Sequence, residues 1–148
     1  MSDDFSLAEM LPVIRESISD GGCFTFIPHG GSMKPLLRGG RDSVTVEAPR
    51  GRLQKYDLPL YRRENGDFVL HRVLKVLPDG YVVRGDAQCQ KEKINDGQII
   101  AVVSSYTRNG TNHKSDGLYN RLYCDLVIRF DLIRRAAVHF SRKGGKKA

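Results

Sequence analysis

The chain has 148 residues, 40% hydrophobic and 28% charged, with a formal net charge of +7; that suits one ordinary domain with its own core and excludes wholesale disorder. No stretch approaches 18 uncharged apolar residues, and the start, Met1-Ser2-Asp3-Asp4, is acidic without an apolar run, so neither a transmembrane helix nor a secretory signal is expected. Cys23, Cys89 and Cys124 are an odd set in no paired spacing, which argues against a disulfide framework and for a reducing, cytoplasmic setting.

Residues 6–19 read as a short helix. Ser6 and Glu9 fit a capping box, Leu7, Leu11, Ile14 and Ile18 recur at helical spacing, and Asp20-Gly21-Gly22 ends the pattern. Pro12 conflicts with it, predicting a kink or a true start near Leu11. Short β-like runs follow at Cys23–Ile27, Val44–Glu47, Leu58–Arg62, Phe68–Val76, Tyr81–Arg84 and Ile99–Tyr106, separated by turn signals such as Asn65-Gly66-Asp67 and Pro78-Asp79-Gly80. Strands at this spacing predict a compact antiparallel sheet or half-open barrel over 22–108, with a hairpin across Pro78-Asp79-Gly80. The polar stretch 109–117 reads as a linker or loop.

From Leu118 the period is helical again. Leu118, Leu122, Leu126, Phe130 and Ile133 form an apolar stripe flanked by Arg121, Arg129, Arg134 and Arg135, and the chain ends in a basic tail. Residues 118–148 carry eight Lys/Arg and two Asp, a net +6, whereas residues 1–117 carry sixteen Lys/Arg and fifteen Asp/Glu, a net +1. The helix either packs on its own domain, lies on an anionic membrane surface or fills a partner's groove.

Three segments carry chemistry. In His29-Gly30-Gly31-Ser32-Met33-Lys34-Pro35 a serine follows two glycines directly after a strand; glycines free the backbone and leave room beside the hydroxyl, as a nucleophile requires. A solvated serine in a tight turn is the plain alternative. His71, in Leu70-His71-Arg72-Val73, is a candidate general base or a merely half-buried strand residue. Asp86, in Gly85-Asp86-Ala87-Gln88, would orient an imidazole or cap a turn.

The ordered set resembles the type I signal peptidase group of the signal peptidase and LexA-like serine peptidase superfamily. Gly31-Ser32-Met33-Lys34-Pro35 is similar to that family's G-S-M-x-P box, Asp42-Ser43-Val44-Thr45-Val46 to its D-x-V-x-V strand, Leu70-His71-Arg72-Val73 to the box bearing the base, and Gly85-Asp86-Ala87-Gln88 to its G-D-N box. Gln98–Val103 resembles the closing strand, so the likeness spans about residues 22–106. It implies a coiled antiparallel sheet with Ser32 as nucleophile, His71 as base and Asp86 assisting His71, as in the Ser/His subgroup. Met33 and Pro35 are then expected to face substrate. Where the family often has a serine, two residues before the nucleophile, this chain has Gly30; the oxyanion hole would consist of the backbone N–H groups of Ser32, Gly31 and Gly30.

The expected activity is serine endopeptidase action on a peptide or leader sequence, without metal or cofactor, since His29, His71, His113 and His139 show no ligand spacing. The alternatives are a peptide-binding module of the same fold that does not cut, and a nucleic-acid-associated regulator akin to SOS-repressor autoproteases. The last is disfavoured, because only one short helix precedes residue 22 and the tail lacks interleaved aromatics.

Overall fold

The computed structural model describes residues 7–130 and 135–136. It is mainly antiparallel β structure, in two sheets with short helices at either end. Helix α1 (Leu7–Ser19) runs straight through Pro12, which is exposed on its outer face, while Ile14 and Ile18 enter the core. The expected cap at Ser6 lies outside the described residues.

Strands β1 (Cys23–Phe26), β2 (Ser43–Glu47), β3 (Pro59–Arg62), β4 (Phe68–Leu70), β8 (Ile99–Arg108) and β9 (Thr111–Lys114) make the larger sheet, ordered β1-β2-β8-β3-β4 with β9 added to β8. In β2 the period of two is plain: Val44 and Val46 are wholly buried, whereas Thr45 on the other face meets Thr25 through their hydroxyls at 2.7 Å. The two edge strands, β1 and β4, contribute Phe26 and Phe68–Leu70 to the lining of one cavity. The sheet therefore curls until its edges approach each other, and it does not close.

Strands β5 (Arg72–Leu77), β6 (Gly80–Arg84) and β7 (Glu92–Ile94) form the smaller sheet. The predicted hairpin is present, with Leu77 opposite Gly80 across Pro78-Asp79. The single strand expected over Phe68–Val76 is instead two. The chain leaves the larger sheet at Leu70 and joins the smaller at Arg72, so His71 occupies the corner and belongs to neither ladder. One core gathers α1, the larger sheet and Met33, Leu36 and Leu37; a second, with Tyr61, Val73, Tyr81 and Val83, fills the space between the sheets.

The stretch expected as a linker contains β9, in register with β8 from Ser105↔Lys114 to Arg108↔Thr111. Its polar side chains suit an edge strand that stays largely exposed. After it, α2 (Leu118–Tyr123) passes into a π-helical turn, Cys124–Ile128. Asn120, Tyr123, Cys124 and Ile128 are buried against the β domain, so this segment is part of the domain rather than a separate unit. The predicted stripe points the other way: Leu118, Leu122, Leu126 and Phe130 are 51–70% exposed. Ile133 and the basic tail beyond residue 136 lie outside the described residues. Among the described residues, no helix is long and apolar enough to cross a membrane.

Candidate functional site around Ser32 and His71

The segment after β1 is a loop rather than a strand because Gly30 adopts a φ of +89° and Gly39 packs directly on it. A Cβ at Gly39 would stand 2.2 Å from the Gly30 carbonyl oxygen, closer than any side chain permits. The loop then turns tightly, with Lys34 N–H donating to Gly31 O at 3.2 Å and Leu37 N–H to Met33 O at 3.0 Å. Its far end is pinned by buried Asp42, which accepts from the Arg38 amide (2.8 Å), the Arg41 guanidinium (2.8 Å) and the Asn109 amide (3.1 Å). These bonds, led by Arg41, hold the Asp42 carboxyl well below the usual carboxylate range.

Ser32 stands where two cavities meet, one of about 230 Å³ and one of about 900 Å³. His71 borders the smaller one, so the two expected catalytic side chains share a cavity. Among the described residues no hydrogen bond joins Ser32 Oγ to His71. The segments are nevertheless stitched together. Ala87 N–H donates to Ser32 O at 2.9 Å, and Gly85 fits against both partners: a Cβ there would lie 2.7 Å from Ser32 O and 3.1 Å from His71 Nε2. Only glycine allows this approach.

His71 is 2% exposed. Its Nδ1 lies 3.1 Å from the Tyr61 hydroxyl and 3.4 Å from Glu92 Oε1. Tyr61 O–H in turn donates to Glu92, whose carboxylate is held by Arg63 at 3.0 and 3.1 Å. Burial opposes the Glu92 charge, but Arg63 and Tyr61 outweigh it and keep the carboxyl below its ordinary value. Burial, with Glu92 beside it, pushes the Tyr61 phenol far up, so it keeps its proton. A phenol that gives its only proton to an ionised carboxylate must accept from the imidazole. His71 therefore carries its proton on Nδ1 and presents a lone pair at Nε2, toward Gly85 and the cavity. Burial lowers the His71 pKa below 6.5, only partly offset by Glu92.

Asp86 is not the partner of His71. It is 1% exposed and bound to the equally buried Arg72, Nε to Oδ1 at 2.8 Å and Nη2 to Oδ2 at 2.9 Å, with Tyr123 O–H donating to Oδ2 at 2.9 Å. Arg72 Nη1 also reaches Cys124 Sγ at 3.0 Å. The acidic residue expected to orient the base thus fastens the C-terminal helix to the hairpin. The position beside Nδ1 belongs to Tyr61 and Glu92, which the sequence reading passed over. β3 is buried on both faces, Leu60 in the larger core and Tyr61 in the inter-sheet core, so no alternation singles out Tyr61, and Glu92 lies in Glu-Lys-Ile, a run with no strand signal.

Of the other expected residues, Gly31 and Pro35 border the larger cavity and Gly30 the smaller. The amides of Gly30, Gly31 and Ser32 donate no backbone hydrogen bond among the described residues. Met33 is 5% exposed and packs mainly in the larger core, touching only the wall of the smaller cavity. It is a core residue first, because its neighbours Leu36 and Leu37 turn the same way. Lys75, the next lysine along the chain from His71, is exposed and follows a β-bulge at Val73/Lys75. No group of three potential metal ligands occurs among the described residues. No protein-family model, curated protein or solved structure matches the chain.

Proposed function

We propose that this protein is a serine endopeptidase of the signal peptidase and LexA-like type, acting on an extended peptide. The observation that carries the reading is the shared cavity of Ser32 and His71, with His71 Nε2 beside Gly85, the residue that also packs on Ser32 O. Ser32 Oγ would attack the scissile carbonyl while Nε2 takes its proton and later returns it to the leaving amine. The Tyr61–Glu92–Arg63 chain holds Nδ1–H and steadies the imidazolium as it forms. The amides of Ser32, Gly31 and Gly30 supply the oxyanion donors. The free edges of β1 and β4 flank the cavity, so a substrate strand entering there would pair with one of them and run past His71. This also accords with the half-open sheet that the resemblance implies.

A serine-directed fluorophosphonate tests it. Wild-type protein is expected to take up one label, lost in Ser32→Ala and strongly slowed in His71→Ala. Labelling untouched by both substitutions would leave the non-cutting peptide-binding module as the better account.

A second component concerns location. We propose that the exposed stripe Leu118, Leu122, Leu126 and Phe130 rests on an anionic membrane surface. The net +6 of residues 118–148 complements anionic lipid, and the buried Tyr123 and Cys124 on the opposite face leave the stripe directed outward.

A further inference from the structure

The larger cavity, which Ser32 borders and His71 does not, has walls of an unusual kind. Lys34, Arg38, Arg41 and Arg108 line it together with His113 and Tyr119, and among the described residues no carboxylate does. Two of these cations already have partners. Arg41 is paired with Asp42 at 2.8 Å, and Arg108 bonds the Tyr119 hydroxyl, whose ring stacks on His113 at 3.9 Å. Lys34 and Arg38 are exposed and form no ion pair among the described residues. Lys34 folds back over the serine loop, its Nζ 3.8 Å from where a Gly31 Cβ would stand. Asp42 cancels Arg41 alone, because its oxygens are taken by Arg41 and by backbone amides. Three positive charges therefore face a space of about 900 Å³ that opens beside the nucleophile. An anionic side chain entering it would meet charge without a competing carboxylate.

We infer that this cavity is a subsite for an acidic residue of the substrate, Asp or Glu placed near the scissile bond, with Lys34 and Arg38 as the residues that select it. The inference rests on the peptidase reading, because it takes Ser32 as the point past which substrate runs.

The experiment uses full-length Ser32→Ala protein and fluorescent peptides of one length, alike except for Asp, Ala or Lys at positions flanking a central small residue. Binding is read by anisotropy at low and raised salt, beside fluorophosphonate labelling of the wild type. The Asp peptides are expected to bind roughly threefold to tenfold more tightly than the Ala peptides, the scale of a few partly exposed ion pairs, and the Lys peptides more weakly than either. The preference should shrink with salt and vanish in Lys34→Glu/Arg38→Glu, whose exposed positions leave the fold intact. Wild-type labelling together with binding indifferent to charge, or a preference that survives the double substitution, overturns the subsite and leaves the peptidase reading standing. Absence of labelling overturns that reading itself. Tight binding of a short single-stranded oligonucleotide, with no preference among the peptides, would assign the cationic walls to nucleic acid and also overturn the subsite.

Discussion

The Tyr61 hydroxyl lies 3.1 Å from His71 Nδ1 and gives its own proton to Glu92, so the imidazole is the donor in the first contact and the phenol in the second. Protons run outward from the histidine to the carboxylate. The arrangement fixes one tautomer and stabilises an imidazolium formed by protonation at Nε2. The phenol takes the shorter contact and the carboxylate the longer, Glu92 Oε1 lying 3.4 Å from Nδ1, and burial still leaves the resting histidine less basic than a free one.

That spacing has a consequence for pH. His71 acts as a base only when neutral, and burial holds its pKa below the ordinary 6.5. The rate of fluorophosphonate labelling should therefore stay level through neutrality and fall only at pH below 6.5. In Glu92→Gln the larger of the two charges that raise the His71 pKa is gone, only that of Asp86 remaining, while Arg63 still lowers it, so the limb should move further down. A limb above pH 7 in the wild type would point to a lysine as the base.

Tyr61→Phe removes the acceptor of Nδ1–H together with one donor to Glu92, and leaves the wholly buried ring in place in the inter-sheet core. One hydrogen bond to a neutral group is worth about 0.5–1.5 kcal/mol, so roughly threefold to tenfold slower labelling is expected at pH 7.5. Unchanged labelling would remove Tyr61 from the machinery.

Asp86→Asn should act on stability instead. It leaves the Arg72 guanidinium buried without its counter-charge, a change that costs about 3–5 kcal/mol, and Tm should fall by on the order of 10 °C. The Asp86 charge raises the His71 pKa less than Glu92 does, so the pH limb of labelling should move down by less than in Glu92→Gln. A variant of normal Tm whose limb moves further than that of Glu92→Gln would return to Asp86 the role implied by the resemblance.

Much of this was legible in the residues. The valines of β2 and the Pro78-Asp79 turn announce themselves through alternation and turn chemistry, and Gly30-Gly31-Ser32 marks a loop that leaves a hydroxyl clear. The corner at His71 does not announce itself, because Phe68–Val76 keeps a strand pattern on both sides while the chain changes sheets. Nor does the fate of Asp86. Whether an acid after a strand meets a histidine or an arginine depends on register: the Arg72↔Arg84 pairing of β5 and β6 brings Arg72 alongside the segment that follows β6. Arg63 and Glu92, 29 residues apart, meet only because the two sheets are packed together.

The outward stripe on α2 and its π-helical continuation makes a separate prediction. Wild-type protein should co-sediment with phosphatidylserine-containing vesicles and much less with phosphatidylcholine vesicles, and added salt should weaken the binding. Leu122→Glu/Leu126→Glu, at positions 51% and 55% exposed, should reduce it roughly tenfold or more without lowering Tm. Equal binding to both lipids, or no effect of the substitution, would count against a membrane contact.

The bond from Ala87 N–H to Ser32 O gives the molecule its own gauge of readiness. That amide can trade its hydrogen for deuterium only when the strap between the serine loop and the segment after β6 lets go, so its exchange rate measures how often the two halves of the site part company. An occupant that bridges Ser32 and His71 should slow exchange at Ala87 more than at amides remote from the cavity. A substitution that merely loosens the whole domain would quicken them together. Followed residue by residue in solution, this one proton distinguishes a damaged site from a damaged fold before any substrate is known.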